Sequence, residues 1–323
     1  MTPKISVVVP VYGVEEYIER CARSLFEQTL TDIEYIFIDD CTEDNSITVL
    51  RQVLYQYKER ISQTRIVKMP VNSGQAAVRK YGISLAYGEY IIHCDSDDWV
   101  EPNMYEKLYG VAKRDNSDIV ICDYFKSKSE HENYWVHQKI TNNKNELIRA
   151  LLNENVHGSL WNKLIKLSLF KNIIYPKDNL REDLTIIFQI TFFADKISYI
   201  SEPYYHYFYN SESITNNSES INKSISKIEQ SINIYMVMEL FMKENEIYEC
   251  FQKEVLNMKC RLKISALIYI LSKGGYKKWN SVFPRITFIK VITSDLRILS
   301  KIEYIIAKLG LYTMYRGVKD FLR

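Results

Sequence analysis

The sequence predicts an α/β fold, with a mostly parallel sheet flanked by helices and then a helical C-terminal region. Two observations carry this prediction. Through the first 125 residues, short β-branched runs alternate with stretches whose apolar residues recur at helical spacing. From about Ile228 onward the pattern is almost entirely helical, broken at Gly274-Gly275 and Pro284. Strand and helix alternating in this way imply parallel strands joined by right-handed crossovers.

Each element follows from its residues. Ile5-Ser6-Val7-Val8-Val9, ending at Pro10, reads as a buried strand. Tyr17, Ile18, Cys21, Ala22, Leu25 and Phe26 then mark a helix. Tyr35-Ile36-Phe37-Ile38 is a second strand ending at Asp39-Asp40, and Val49, Val53, Leu54 and Tyr57 mark the next helix. Arg65 to Met69 is a short strand, Gln75 to Ala86 a helix, and Tyr90 to Cys94 a fourth strand. A helix near Tyr105 to Ala112 leads to the strand Ile119 to Cys122. Beyond residue 125 the alternation stops. The expected order there is a polar loop, a strand at Tyr134 to Ile140 and a helix at Lys144 to Leu152. Gly158 to Leu164 then connects to another helix, and a further helix opens at Arg181-Glu182-Asp183. The expected domains are residues 1–215 and residues 216–323.

Composition narrows the class. A chain of 323 residues can bury a large core, and ten glycines and seven prolines leave little room for flexible linkers. The net charge of +2 is unevenly spread: from Lys253 to Arg323, fifteen Lys or Arg stand against four acids, a balance of +11, which leaves −9 for residues 1–252. A basic C-terminal part suggests an anionic surface as partner. Six scattered cysteines without CxxC spacing, and no apolar leader before the first strand, lead us to expect reduced thiols in a cytoplasmic protein. No run of eighteen apolar residues suggests a membrane-spanning helix.

Asp95-Ser96-Asp97-Asp98 follows the apolar run Tyr90 to Cys94 and is closed by Trp99. Three carboxylates this close repel one another unless a cation sits among them. In a parallel sheet all carboxyl ends point one way, so Asp39 and Asp40 share the rim with this cluster despite about 55 residues of separation. One reading is a solvated acidic turn. The other is a clamp in which Mg²⁺ or Mn²⁺, held by one or two carboxylates, meets a phosphorylated substrate.

Six segments in order give a family resemblance. They are Val7 to Tyr12, Asp39 to Asp44, Asn72 to Arg79, Asp95 to Asp98, Trp161 to Leu164, and Arg181 to Asp183. Residues 4 to about 215 resemble a family 2 glycosyltransferase of the GT-A fold, of the type that builds bacterial surface polysaccharides. The resemblance implies that Pro10, Val11 and Tyr12 wall the nucleotide base, with the Tyr12 ring free to stack. It implies that Asp39 or Asp40 accepts the uracil imide hydrogen of a UDP-sugar, and that Arg79 meets the base or the diphosphate. Asp95, Ser96 and Asp97 match the Asp-x-Asp metal motif, with Asp97 as ligand beside Asp95, and Asp98 supporting it from behind. Asp183 is then the general base that deprotonates the acceptor hydroxyl of an inverting transfer, with Glu182 the alternative one residue away. Near a helix N-terminus its ionised form is favoured. Trp161 and Lys163 match the acceptor-side segment; the plain alternative is a core tryptophan with a surface lysine.

Three positions depart from the family pattern. Gly13 stands where asparagine is usual, Cys41 where glycine is usual, and Phe208 where a basic residue often precedes the segment here written Ser213-Ile214-Thr215. The last weakens any expected phosphate contact from that loop. His93, inside a strand, is expected to be a core histidine; His157 and His206 lack metal-ligand spacing.

Between Leu262 and Leu322, apolar and basic residues mix at helical spacing. That pattern suits a peripheral membrane surface carrying a lipid-linked saccharide acceptor, or else a bundle packed with its lysines in solvent. Nucleic acid is not expected, because the acidic rim would repel it. An oxidoreductase would need a glycine-rich turn after the first strand, and Pro10 to Glu15 does not supply one. An aspartyl-phosphate phosphohydrolase would carry its Asp-x-Asp after the first strand, not the fourth. A catalytically silent nucleotide-sugar-binding module would tolerate loss of carboxylates that this chain keeps.

Overall fold

The computed structural model describes residues 2–209 and 220–321. The chain divides into two compact units, Met1–Asn217 and Ser218–Arg323; the expected boundary at 215/216 lies outside the described residues.

In the first unit, β1 (Ile5–Val11), α1 (Ile18–Phe26), β2 (Ile33–Asp39), α2 (Ser46–Leu54), the short α3 (Lys58–Ile61) and β3 (Thr64–Lys68) follow in turn. Next come α4 (Gln75–Leu85), β4 (Tyr90–His93), β5 (Trp99–Val100), α5 (Met104–Asp115) and β6 (Ile119–Ser127). β7 (Asn133–Val136), α6 (Lys144–Leu152), β8 (Lys163–Lys166), α7 (Glu182–Phe193) and β9 (Ile197–Phe208) complete it. All strands join one nine-stranded sheet in the order β3-β2-β1-β4-β8-β6-β9-β5, with β7 on β6.

The expected parallel core is present: β1 pairs in parallel with β2 and β4, and β2 with β3. The strand order reverses at β1, so the crevice at a topological switch point lies at the carboxyl ends of β1 and β4. Beyond β4 the sheet is mixed. β8 runs antiparallel between β4 and β6, while β9 runs parallel to β6. Thus β1, β2, β3, β4, β6 and β9 point one way, and β5, β7 and β8 the other.

The structure goes beyond or departs from the sequence reading at three places. Leu164 leads not into a helix but through β8 into a 3₁₀ turn at Leu167–Asn172. The aromatic stretch near Tyr204 is the end of the long strand β9, whose Pro203 sits where the pairing with β6 shifts register. A proline is tolerated in a strand at such an irregularity. The strand expected at Tyr134 to Ile140 is confined to Asn133–Val136.

The sheet is covered on both faces. Val7, Val9 and Val11 of β1 share a core with Cys21, Ala22 and Leu25 of α1, while α4 packs on the other face over Val8. A Cβ at Gly82 of α4 would come within 2.4 Å of Val8 Cγ1, so only glycine admits this close approach.

The second unit is helical: α8 (Ile221–Glu244), α9 (Gln252–Ser265), α10 (Gly275–Ser281), α11 (Phe288–Thr293), α12 (Ile298–Lys308) and α13 (Tyr312–Phe321). Its separate core includes Leu267, Tyr269, Ile270, Trp279 and Tyr304. Lys263 is buried there and donates to the carbonyls of Trp279 and Val282 at 2.6 Å each. No described helix is long and apolar enough to cross a membrane.

Candidate active site

Register places the two acidic clusters on one rim. Asp39 lies opposite Val11 at the end of β2. His93 lies opposite Val8, and Cys94 N still donates to Val8 O before the chain leaves the sheet at Asp95. The loop after β1 is stitched to the loop after β2: Gly13 N donates to Thr42 Oγ1 at 2.9 Å and Glu15 N to Asp44 Oδ2 at 2.9 Å. Cys41 has φ +58°, which explains why glycine is the usual residue there.

Of the expected base wall, Tyr12 is 54% exposed and Pro10 half-buried. The Val11 side chain is instead part of the core, because alternation along β1 turns it inward with Val7 and Val9. The two aspartates after β2 also divide. Asp40 accepts from Ser73 N at 2.7 Å and Gly74 N at 2.9 Å, so its carboxylate holds the turn that opens α4. Gly74 has φ +79°, and Asn179 packs against it while accepting from Ala76 N at 3.0 Å. Asp39 accepts from Thr42 N at 2.9 Å and lies 4.0 Å from the Lys68 ammonium.

Arg79 departs from the expectation of a group reaching for a base or a phosphate. It is buried, and its fork is used inside the protein: Nη2 donates to Asp95 Oδ1 at 2.6 Å, and Nη1 pairs with Glu182 at the start of α7. Burial alone would lower the Arg79 pKa, but Asp95, Glu182 and Asp183 together hold it above its ordinary value. Burial works against the ionised form of Glu182 and raises its pKa, while the Arg79 guanidinium pulls it back down. The adjacent Asp183 is half-buried, and its Oδ1 accepts from Leu184 N at 2.8 Å. One arginine thereby fastens the start of α7 to the loop after β4.

Asp98 is buried and held on both oxygens, by Tyr205 Oη at 2.6 Å and by Phe208 N at 2.7 Å. The same Tyr205 hydroxyl accepts from Asp95 N at 3.0 Å. Burial, then Asp97 and Asp95, push Asp98 well above the usual carboxylate range. Ser96 is buried, while Asp97 and Asp95 remain half-buried.

The acceptor-side pair lies deeper than the sequence suggests. Trp161 is 2% exposed, stacked on Tyr205 at 4.2 Å and near-parallel to Tyr207 at 5.8 Å, so it is a core residue. Lys163 is no surface lysine either. It is fully buried, and its Nζ donates to His157 O, Ser159 O and Asn162 Oδ1 at 3.0, 2.7 and 2.7 Å. Burial pulls its pKa down to about 7, opposed by the charge of Asp183. The field of Asp183 also acts on His157, which burial lowers below its ordinary value. His157 Nδ1 accepts from Ser159 N at 3.3 Å, which leaves Nε2 to carry the proton of the neutral ring. His93 is buried as expected, but neither ring nitrogen has a partner among the described residues.

Arg20 was missed by sequence reasoning. Its guanidinium lies 3.9 Å from the Trp99 ring centroid and 4.5 Å from that of Phe208, and Nη2 donates to Asp97 O at 2.9 Å. The position that lost the family's usual basic residue thus has an arginine from α1 lying on its ring. The available signal was its place one turn into the helix that follows β1. The Ser213-Ile214-Thr215 segment lies outside the described residues.

Among the described residues no three His, Cys, Asp or Glu side chains form a ready metal cage. The donor chemistry still fits Mg²⁺ or Mn²⁺, which take one or two carboxylates and complete their shells with phosphate oxygens and water. Asp95 gives its Oδ1 to Arg79, and Asp97 stands half-buried two residues further along the same loop.

Comparison with known proteins agrees with this architecture. The profile of Glycosyl transferase family 2 matches residues 6–174. The putative glycosyltransferase EpsH of Bacillus subtilis (strain 168) is 32% identical over 303 residues, 91% of this chain and 84% of that protein. The cholesterol galactosyltransferase of Borreliella burgdorferi is 32% identical over 268 residues, 76% of this chain and 70% of that one. Among solved structures, residues 1–349 of S. aureus TarS in complex with UDP-GlcNAc superpose with a TM-score of 0.56 at 16% identity, covering 97% of this chain and 92% of that chain. This last is a likeness of fold, and it agrees with the GT-A architecture expected from the motifs.

Proposed function

The chain belongs to glycosyl transferase family 2, and on that premise we propose an inverting transfer of a sugar from a UDP-sugar to a saccharide or lipid-linked saccharide, in surface polysaccharide synthesis. The observation that carries this reading is the Arg79 clasp. By joining Asp95 to Glu182, it sets Asp183 beside the acidic loop at the switch point of the sheet.

Each residue then has a task. The exposed Tyr12 ring stacks on the uracil, and Asp39 accepts its imide hydrogen, since Asp40 is committed to the turn before α4. A Mg²⁺ or Mn²⁺ held by Asp97, with Asp95 beside it, would supply positive charge at the donor diphosphate. Asp98, held by Tyr205 and Phe208 N, fixes the loop that presents Asp97. Asp183 takes the proton of the acceptor hydroxyl as that oxygen attacks the anomeric carbon. The bond from that carbon to the diphosphate oxygen breaks, and UDP leaves with the electron pair. An α-linked donor gives a β-linked product.

The relative that acts on cholesterol supports a lipid-borne acceptor, and the basic second unit supports a peripheral position at the cytoplasmic face of a membrane. A panel of UDP-sugars tests the reading, scored for metal-dependent UDP release with and without acceptor saccharides. Retention of configuration in the product would remove the role given to Asp183.

A further inference from the structure

We propose that the outward faces of α11, α12 and α13 form a docking surface for an anionic lipid bilayer, with apolar side chains entering the lipid and a basic rim meeting the headgroups. This rests on the membrane position suggested above and assigns it to particular residues. The second unit has its own buried core, but these three helices also carry a second, outward apolar face. On α11, Phe288, Ile289 and Ile292 are exposed, while Val291 is buried. On α12, Ile298 and Leu299 are 76% and 72% exposed, and Ile302 is exposed too. At roughly 100° per residue these three span an arc of about 100°, opposite the buried Tyr304 and Ala307. Leu311, Met314 and Val318, at i, i+3 and i+7 on and before α13, are also exposed, while Tyr312 is buried. Isolated exposed apolar residues need no explanation, but consecutive helices presenting such faces do.

The charge around these faces selects the partner. The two acidic residues along α11, α12 and the connection between them, Asp295 and Glu303, are paired with Lys253 at 3.4 Å and Lys319 at 2.9 Å. Arg285, Lys290, Arg297 and Lys308 are exposed and make no ion pair with a described carboxylate. Apolar side chains flanked by uncompensated cations match a surface that is apolar within and negative at its headgroups. A second copy of this chain would bring like charge against like charge.

Sedimentation of the full chain with vesicles tests the inference. Vesicles of phosphatidylcholine alone are compared with vesicles containing phosphatidylglycerol, at low and high salt. The chain should pellet with the anionic vesicles and release as salt rises. The triple variant Ile298→Ser, Leu299→Ser, Met314→Ser alters only exposed side chains and should lose binding on the order of tenfold. Arg297→Glu should weaken binding at low salt more than at high salt. Equal pelleting with both vesicle types, or full binding by the triple variant, overturns the proposal. So does conversion of a wild-type dimer to a monomer by that variant without loss of vesicle binding. Thermal stabilisation by UDP with Mn²⁺, read on the same preparations, reports the donor site separately, so failure of one reading is not mistaken for failure of the other.

Discussion

Arg79 and Glu182, 103 residues apart, form an ion pair in which each side chain is only 3% exposed. The same guanidinium holds Asp95, so α4, the loop after β4 and the start of α7 meet at one charged group. Removing it leaves two carboxylates in poor contact with water.

Arg79→Ala is therefore expected to cost about 3–5 kcal/mol of stability, measured by urea denaturation. Arg79→Lys should recover part of the stability but little of the activity, because an ammonium cannot hold two carboxylates in a fixed fork. Glu182→Gln should be milder in stability than Arg79→Ala, since it removes one buried charge rather than leaving two without a partner. A wild-type stability in Arg79→Ala would refute the clasp.

Asp183→Asn should keep the fold and donor binding while lowering kcat by about 10²–10⁴-fold, the range for loss of a general base. Binding of UDP by calorimetry and turnover of acceptor separate the two effects. If Glu182→Gln abolishes turnover and Asp183→Asn does not, the base is Glu182.

Asp97→Ala and Asp98→Ala should differ in kind. The first should abolish the metal dependence of UDP binding, read by titration of Mn²⁺ at fixed UDP. The second should weaken metal affinity by about 10–100-fold and also lower stability, because Tyr205 Oη and Phe208 N lose their acceptor. Identical titration curves for the two variants would contradict this division.

Lys163 predicts a pH dependence. Its folded pKa of about 7 lies below the ordinary 10.5. Between those values the unfolded chain holds a proton that the folded chain has released, so this group makes stability rise with pH across that window. Below about pH 7 both states hold the proton and the full cost of burying the charge is present. In Lys163→Met that rise should be missing from the plot of unfolding free energy against pH, even though the carbonyls of His157 and Ser159 lose a donor. Parallel curves for the variant and the wild type would show that Lys163 titrates normally.

Much of the fold was legible because its signals are local. β1 is a β-branched run closed by Pro10, β2 and β4 are apolar runs leading into carboxylates, and helical spacing marks α1, α4 and α7. Parallel topology then puts Asp39 and Asp95 on one rim without further information. β8 and β9 were not legible, since Lys163-Leu164-Ile165-Lys166 is too short to tell strand from turn and Pro203 interrupts β9. The choice between an acceptor-side and a core Trp161 stayed open, and Lys163 was not expected to be buried, because burial depends on what packs around a residue. Tyr205 and Tyr207 of β9 lie against Trp161, and the carbonyls of His157 and Ser159 enclose the Lys163 ammonium.

By itself the sequence determined the alternation of strands and helices, the acidic rim and the charge contrast between the two parts of the chain, because periodicity and net charge are properties of the order of residues. Only the tertiary structure decided which charges meet. It gave Arg79 to Asp95 and Glu182, committed Asp40 to the Ser73-Gly74 turn, laid Arg20 on Trp99 and Phe208, and left the outer faces of α11 to α13 uncovered. Pairing and burial arise from contacts across scores of residues, and a Coulomb or stacking energy exists only once folding has brought those partners within a few ångströms.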